Sequence, residues 1–392
     1  MKVPSAIRVG TLVVALFSAG VILNVATPSA EDVTEFSTKE ALGEALFFDV
    51  NLSRNRTQAC ATCHNPDFGF ADPRPTDAGL AVSLGDDGVS LGDRNAPTAS
   101  YARFSPPFHQ MEDGSYRGGQ FLDGREADLH GQAGGPPLNP IEMGMPDKAS
   151  VVDRLKENPA YVSAFDALFS PGVLEDPDSG YEAMRASIAA FEHTPVFSPF
   201  DSKYDRYLRG EATFTDQEEL GRVLFFSQQF TNCNQCHQLQ TSQISPTETF
   251  SNYEYHNIGI PENEAARALN GVADDHVDRG LLDNPLVSDP QHAGKFKVPT
   301  LRNVAVTGPY MRNGVFEELR TAVLFYNKYN STAPGAQTNP ETGEPWGEPE
   351  IDGTLSLKEL EHGPALDDQR IDALVAFLKT LTDERYEHLL EE

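Results

Sequence analysis

The sequence predicts a mainly α protein of two tandem, related halves joined and interrupted by long irregular loops. Three observations carry this expectation. A repeat places two similar helical stretches, Leu42-Gly43-Glu44-Ala45-Leu46-Phe47-Phe48 and Leu220-Gly221-Arg222-Val223-Leu224-Phe225-Phe226, ahead of two cysteine-containing pentapeptides. Apolar residues recur at helical spacing at 160–169, 181–192, 317–329 and 367–381, while no long run alternates apolar and polar residues. Finally, 31 Gly and 28 Pro in 392 residues require much loop.

Taken in order, the chain opens with Lys2 and Arg8 before an apolar run from Val9 to Val25 that Gly10, Thr11, Ser18, Gly20 and Asn24 interrupt. The run falls short of the roughly 20 residues a spanning helix needs. It reads as the h-region of a secretory signal, residues 1–30, with cleavage near Ala30 despite Pro28; an uncleaved anchor is the alternative. The expected mature chain is periplasmic, soluble or tethered to the membrane. Ser37-x-x-Glu40 and Thr215-x-x-Glu218 read as capping boxes that open the two repeated helices. Pro195, Pro199 and Gly210 interrupt the pattern between Thr194 and Gly210, which sets expected domains at 31–205 and 206–392. Residues 69–144 form a long Gly-, Pro- and Asp-rich region, a length that in a compact domain points to function or disorder. A second irregular stretch, 331–355, holds the only tryptophan, Trp346, and reads as an acidic surface loop.

Lys and Arg number 30 against 59 Asp and Glu, a net charge of −29, which disfavours nucleic acid and anionic membrane surfaces as partners. A hydrophobic content of 39%, with 23 Phe and 12 Tyr, describes a globular chain and excludes a disordered acidic one.

All the cysteines lie in Cys60-Ala-Thr-Cys63-His64 and Cys233-Asn-Gln-Cys236-His237. Export permits disulfides, and four cysteines pair in three ways, but a histidine directly after each pair argues against a disulfide framework. Nor does another Cys/His pair supply a tetrahedral zinc set at finger spacing. Two thiols one helical turn apart can each add to a vinyl group of one porphyrin, and the adjacent imidazole then ligates iron. Two copies imply two covalently bound c-type haems, with His64 and His237 as proximal ligands, and make the halves class I cytochrome c-like domains.

Further motifs are Arg94-Asn95-Ala96-Pro97-Thr98, Phe121-Leu122-Asp123-Gly124-Arg125, Gln132-Ala133-Gly134-Gly135-Pro136, Asn139-Pro140-Ile141-Glu142-Met143, Pro299-Thr300-Leu301-Arg302-Asn303 and Pro309-Tyr310-Met311. With them the sequence resembles the bacterial dihaem cytochrome c peroxidase and MauG family over about residues 40–381. The resemblance implies an N-terminal peroxidatic haem, a C-terminal electron-transfer haem and a calcium ion between the domains. Glu142 matches the distal glutamate that would move a proton between the oxygens of bound hydrogen peroxide, with Gln132 and Pro136 at other distal positions. Residues 77–93, the loop that supplies a closing histidine in many members, contain none. The N-terminal haem is therefore expected to be open; His109, near Met111, is the one substitute ligand to consider. Tyr326 falls where peroxidases place a ligating Met and MauG a ligating Tyr, which puts it opposite His237, with Met311 as rival. The calcium ligands implied are the Asn95 side chain and the Thr307 and Pro309 carbonyls. Leu122 stands where the family usually has a tryptophan between the haems, and Tyr101 or Tyr116 would have to take its role.

The expected function is that of a periplasmic dihaem peroxidase acting on hydrogen peroxide. The reductant is either an electron-donor protein, cytochrome or cupredoxin, or the side chains of a protein substrate, as in MauG. The alternative is a dihaem electron-transfer cytochrome without peroxidase activity; haem-based sensing is a third class. The sequence leaves oligomeric state open.

Overall fold

The computed structural model describes residues 36–239, 245–273, 275–361 and 363–391, so the signal segment expected at 1–30 lies outside the described residues. The described helices are α1 (Lys39–Phe47), α2 (Cys60–Cys63), α3 (Leu129–Gln132), α4 (Lys148–Lys156), α5 (Pro159–Leu168), α6 (Pro177–Glu192), α7 (Lys203–Leu208), α8 (Asp216–Phe225), α9 (Cys233–Cys236), α10 (Glu264–Asn270), α11 (Leu319–Phe325), α12 (Leu357–Leu360) and α13 (Asp368–Lys379). Among the described residues, strand is confined to two short antiparallel pairs: β1 (His109–Gln110) with β2 (Tyr116–Arg117), and β3 (Tyr255–His256) with β4 (Phe296–Lys297). The protein is therefore helix-rich with little sheet, and none of the described helices is long and apolar enough to cross a membrane.

The repeat sets the geometry of both cores. A Cβ added at Gly43 of α1 would collide with the Ser187 carbonyl oxygen of α6 and lie 3.0 Å from the Phe191 Cβ. One added at Gly221 of α8 would collide with the Ala373 carbonyl of α13 and lie 2.7 Å from the Phe377 Cβ. Each glycine lets two helices touch backbone to backbone, and the contacts align α6 with α13: Phe191 matches Phe377, and Glu192 matches Leu378. One core gathers Leu42, Phe47, Leu155, Phe165, Ile188 and Phe197; the other gathers Tyr204, Leu224, Phe225, Phe250, Leu374 and Phe377. Core membership changes between Phe197 and Tyr204. Buried Arg302 ties this junction together, donating to Asp205 at 2.6 and 2.9 Å, with its guanidinium 4.9 Å from the Phe200 ring and 5.3 Å from that of Phe250.

Several sequence expectations shift. Helix α1 is capped by Thr38, whose hydroxyl accepts from the Ala41 amide at 3.2 Å, so the capping box expected from Ser37 does not form. The box at Thr215 does: its hydroxyl accepts from Glu218 N and Glu218 accepts from Thr215 N. Helix α6 starts four residues ahead of the apolar pattern because Asp176 caps Ser179 N at 2.9 Å and Pro177 occupies the first turn, where its missing N–H is not needed. The helix expected over 317–329 is α only to Phe325 and tightens to a 3-10 turn at Tyr326–Tyr329.

The stretch 331–355 is more than a surface loop. Trp346 is only 5% exposed, donates through Nε1 to the Ala336 carbonyl at 2.8 Å, and packs on Phe316 and Phe325. The Glu341 carboxylate accepts from the Glu317 and Glu318 amides at 3.0 and 2.9 Å, pinning the turn that leads into α11. Trp346 thus anchors the loop to the helix that ends at Tyr326.

Candidate active site

Both Cys-x-x-Cys segments form single helical turns whose C-caps are His64 and His237. All four cysteines are free, so the disulfide alternative is not realised. The His64 Nδ1 lies 3.3 Å from the Phe70 carbonyl and the His237 Nδ1 3.0 Å from that of Phe250. A carbonyl at Nδ1 fixes the tautomer that offers Nε2 to a metal. Burial holds both imidazoles below their usual pKa, His237 down to about 4, and therefore neutral, the ligating state. Free thiols one turn apart, with an oriented neutral imidazole behind each pair, fit a covalently attached haem at both sites.

At the first site, α3 ends at Gln132, and turns carry the chain to Glu142: Gly135 N bonds the Gln132 carbonyl, Asn139 N that of Gly135, and Glu142 N that of Asn139. Asn139 Nδ2 donates to Glu142 Oε1 at 2.6 Å. Burial raises the Glu142 carboxyl above its usual range, opposed by that hydrogen bond and by the charge of Arg125. The Glu142 carbonyl accepts from the Asp86 amide at 2.7 Å, and the Asp86 carboxylate accepts from the Asn55 and Thr57 amides at 2.6 and 3.2 Å, which ties Glu142 to the segment that leads into the first Cys-x-x-Cys-His turn. The side-chain amide of Gln132 makes no hydrogen bond among the described residues, while its backbone N–H bonds the Asp128 carbonyl at 3.0 Å. His109, by contrast, is exposed on β1, with Nδ1 2.7 Å from the Pro107 carbonyl.

Two residues here escaped the sequence reading. Arg74 donates to Asp72 at 2.7 Å and to the Cys63 sulfur at 3.2 Å. Glu192, at the end of α6, is buried, its Oε2 has no hydrogen-bond partner among the described residues, and burial raises its carboxyl to about 8. The repeat was the available signal, since Glu192 occupies the position of Leu378, which lines the second cavity.

That cavity, of about 400 Å³, is walled by Cys233, Cys236, His237, Tyr326, Met311 and Leu378, so the structure brings together the second thiol pair, its histidine and both candidate opposing ligands. The Tyr326 hydroxyl makes no hydrogen bond among the described residues, and burial raises its pKa. Asn95, Thr307 and Pro309 line the same cavity. Asn95 Nδ2 donates to the Ala81 carbonyl at 3.1 Å, and its Oδ1 and the Thr307 and Pro309 carbonyl oxygens accept no hydrogen bond among the described residues. Neutral oxygens of this kind are the donor chemistry that a hard cation takes.

The family model for di-haem cytochrome c peroxidase matches residues 37–213. The chain is 59% identical to methylamine utilization protein MauG of Paracoccus denitrificans over 352 residues, 90% of each protein. The chain belongs to the di-haem cytochrome c peroxidase and MauG family. It is also 32% identical to cytochrome c551 peroxidase of Pseudomonas aeruginosa over 76% of this chain and 75% of that one. In structure it resembles the diheme peroxidase BthA of Burkholderia thailandensis, with a TM-score of 0.79 and 32% identity, over 90% of this chain and 88% of that one. The protein is thus a dihaem oxidoreductase of the peroxidase class, and the two Cys-x-x-Cys-His turns account for the two c-type haems of its family.

Proposed function

We propose that the protein reduces hydrogen peroxide to water at the haem carried by Cys60, Cys63 and His64, and that the haem carried by Cys233, Cys236 and His237 shares the oxidising equivalents. The observation that carries this reading is the half-buried Glu142 carboxyl, held by Asn139 and drawn above its usual range by burial. A haem held by these residues would supply an iron able to bind peroxide and to provide two electrons' worth of redox change. The protein's own part is proton movement. As a carboxylate, Glu142 takes the proton from the inner peroxide oxygen and returns it to the outer one, which leaves as water. Asn139 holds Oε1 still during the transfer. Gln132, whose amide is uncommitted, supplies a donor to the oxygen that gains charge.

Tyr326 is the residue that would supply an oxygen ligand to a haem iron held by His237, and the Asn95 side chain with the Thr307 and Pro309 carbonyls would hold a calcium ion. A phenolate favours ferric iron and lowers its potential, where a thioether would raise it. Together with the 59% identity to MauG, this supports oxidation of side chains on a protein substrate over simple turnover of an electron donor. The two cores support division into two cytochrome c-like domains at about residue 205, and the basic and apolar first thirty residues support export to the periplasm. Hydrogen peroxide and a redox protein are the partners.

The test is EPR and optical spectroscopy of the oxidised holoprotein before and after one equivalent of peroxide. A high-spin ferric signal lost on mixing is expected. Two low-spin signals that ignore peroxide, with and without prior half-reduction, would leave an electron-transfer cytochrome.

A further inference from the structure

Tyr101 and Asp383 are buried titratable groups that haem attachment does not use. Tyr101 is fully buried, and its hydroxyl donates to Asp383 Oδ1 at 2.6 Å while accepting the Phe200 amide at 3.1 Å. Asp383 is also fully buried; its second oxygen accepts from Asn303 Nδ2 at 2.8 Å, and its own amide donates to Asn303 Oδ1 at 2.8 Å. The carboxyl is thus immobilised from both sides with one oxygen reserved for the phenol.

The position of Tyr101 joins the two halves. Its amide bonds the Phe197 carbonyl at 2.9 Å, and two residues earlier Ala99 N bonds the Phe70 carbonyl, the same oxygen that faces His64 Nδ1. The Phe70 and Phe197 rings stack at 4.2 Å between these bonds. On its other side, Tyr101 lines the cavity that contains Cys236, His237 and Tyr326. Tyr116 does not line it and instead stacks on Phe108 at 5.3 Å.

We propose that Tyr101, with Asp383 as its proton acceptor, is a redox relay between the two haem-binding halves. The inference rests on the peroxidase reading, which supplies the oxidant. Oxidation of the phenol sends one electron to the peroxide-oxidised centre at His64 and one proton along the existing hydrogen bond to Asp383 Oδ1. The resulting neutral phenoxyl then takes one electron from the centre at His237 and recovers the proton from Asp383. The net change is one electron moved between halves with no charge left in the interior. A neutral transfer of this kind matters here because an isolated buried charge is costly. Burial and the nearby Asp201 raise the Asp383 carboxyl to about 6, opposed by its hydrogen bonds and by Arg302, so near neutral pH it is ionised yet basic enough to accept. The positive charge of Arg302, 5.4 Å from the Tyr101 ring, is balanced by its paired bonds to Asp205.

The test uses the holoprotein, Tyr101→Phe and Asp383→Asn. Freeze-quench EPR after one equivalent of peroxide is expected to show a tyrosyl radical in the parent and none in Tyr101→Phe. Stopped-flow spectra should show oxidation of the second haem slowed about tenfold or more in both variants, because each lacks one half of the proton transfer. Asp383→Asn keeps the phenol, so a slow phase there separates proton acceptance from ring packing. A parent that reacts with peroxide, yet forms no tyrosyl radical and oxidises its second haem as fast as Tyr101→Phe, overturns the relay. A parent whose spectra ignore peroxide overturns the peroxidase reading and the relay with it.

Discussion

Glu142→Gln is the sharpest probe of the first site. Glutamine keeps the length of the side chain and the oxygen that accepts Asn139 Nδ2 at 2.6 Å, so packing and the local turn persist and the ability to take a proton is lost. A positioned general acid-base contributes about 10² to 10⁴ in rate, or about 3 to 5 kcal/mol at 1.36 kcal/mol per decade. The assay is the bimolecular rate of peroxide reaction with the oxidised holoprotein, followed by stopped flow across pH. The sign follows from burial: it raises the carboxyl above its ordinary 4.5, so the carboxylate that must accept the peroxide proton forms only at higher pH than a free glutamate would require. The parent rate should therefore climb through a midpoint above 4.5, whereas the variant should be slow and flat with pH. Equal rates and an unchanged pH profile in Glu142→Gln would refute the assignment.

Three further outcomes are expected. The Glu192 carboxyl, raised by burial to about 8, disfavours ionisation in the folded state. Stability toward urea should accordingly fall by about 1.4 kcal/mol per pH unit from the ordinary carboxylate range up to that value, and Glu192→Gln should remove the fall; a variant with the parental slope contradicts the burial argument. Thr38→Ala should lower stability by about 1 kcal/mol through loss of the cap on α1, while Ser37→Ala leaves the urea midpoint in place, and the reverse ranking would contradict the observed cap. Tyr326→Met exchanges an anionic oxygen for a thioether and should raise the potential of the second haem in spectroelectrochemical titration; an unmoved potential would show that Tyr326 is not the ligand.

The parts of the site legible in the sequence are those that chemistry pins to a fixed spacing. Haem attachment demands Cys-x-x-Cys-His, and Glu142 was reached through its surrounding motif. Glu192 lies 128 residues beyond His64 with no motif around it, and it becomes visible only when Gly43 and Gly221 align the helices they touch. Helix positions followed from apolar spacing, but their ends did not. The start of α6 was decided by Asp176 and Pro177 and the cap of α1 by Thr38, local competitions that periodicity does not register. The stretch 331–355 reads as a surface loop from its composition, although Glu341 pins the turn that leads into α11 and Trp346 enters the core. Such contacts depend on tertiary placement that one-dimensional patterning cannot express.

Trp346 gives the molecule a built-in reporter. It is the one tryptophan in 392 residues, and its indole meets the Phe325 ring edge-on at 5.3 Å, one residue before Tyr326. Intrinsic indole emission from this chain therefore originates at a single point beside the second centre. Because porphyrin absorbs where indole emits, a haem held by Cys233, Cys236 and His237 is expected to quench that emission, and detachment of the 331–355 stretch is expected to restore it, readable by fluorescence without any added dye.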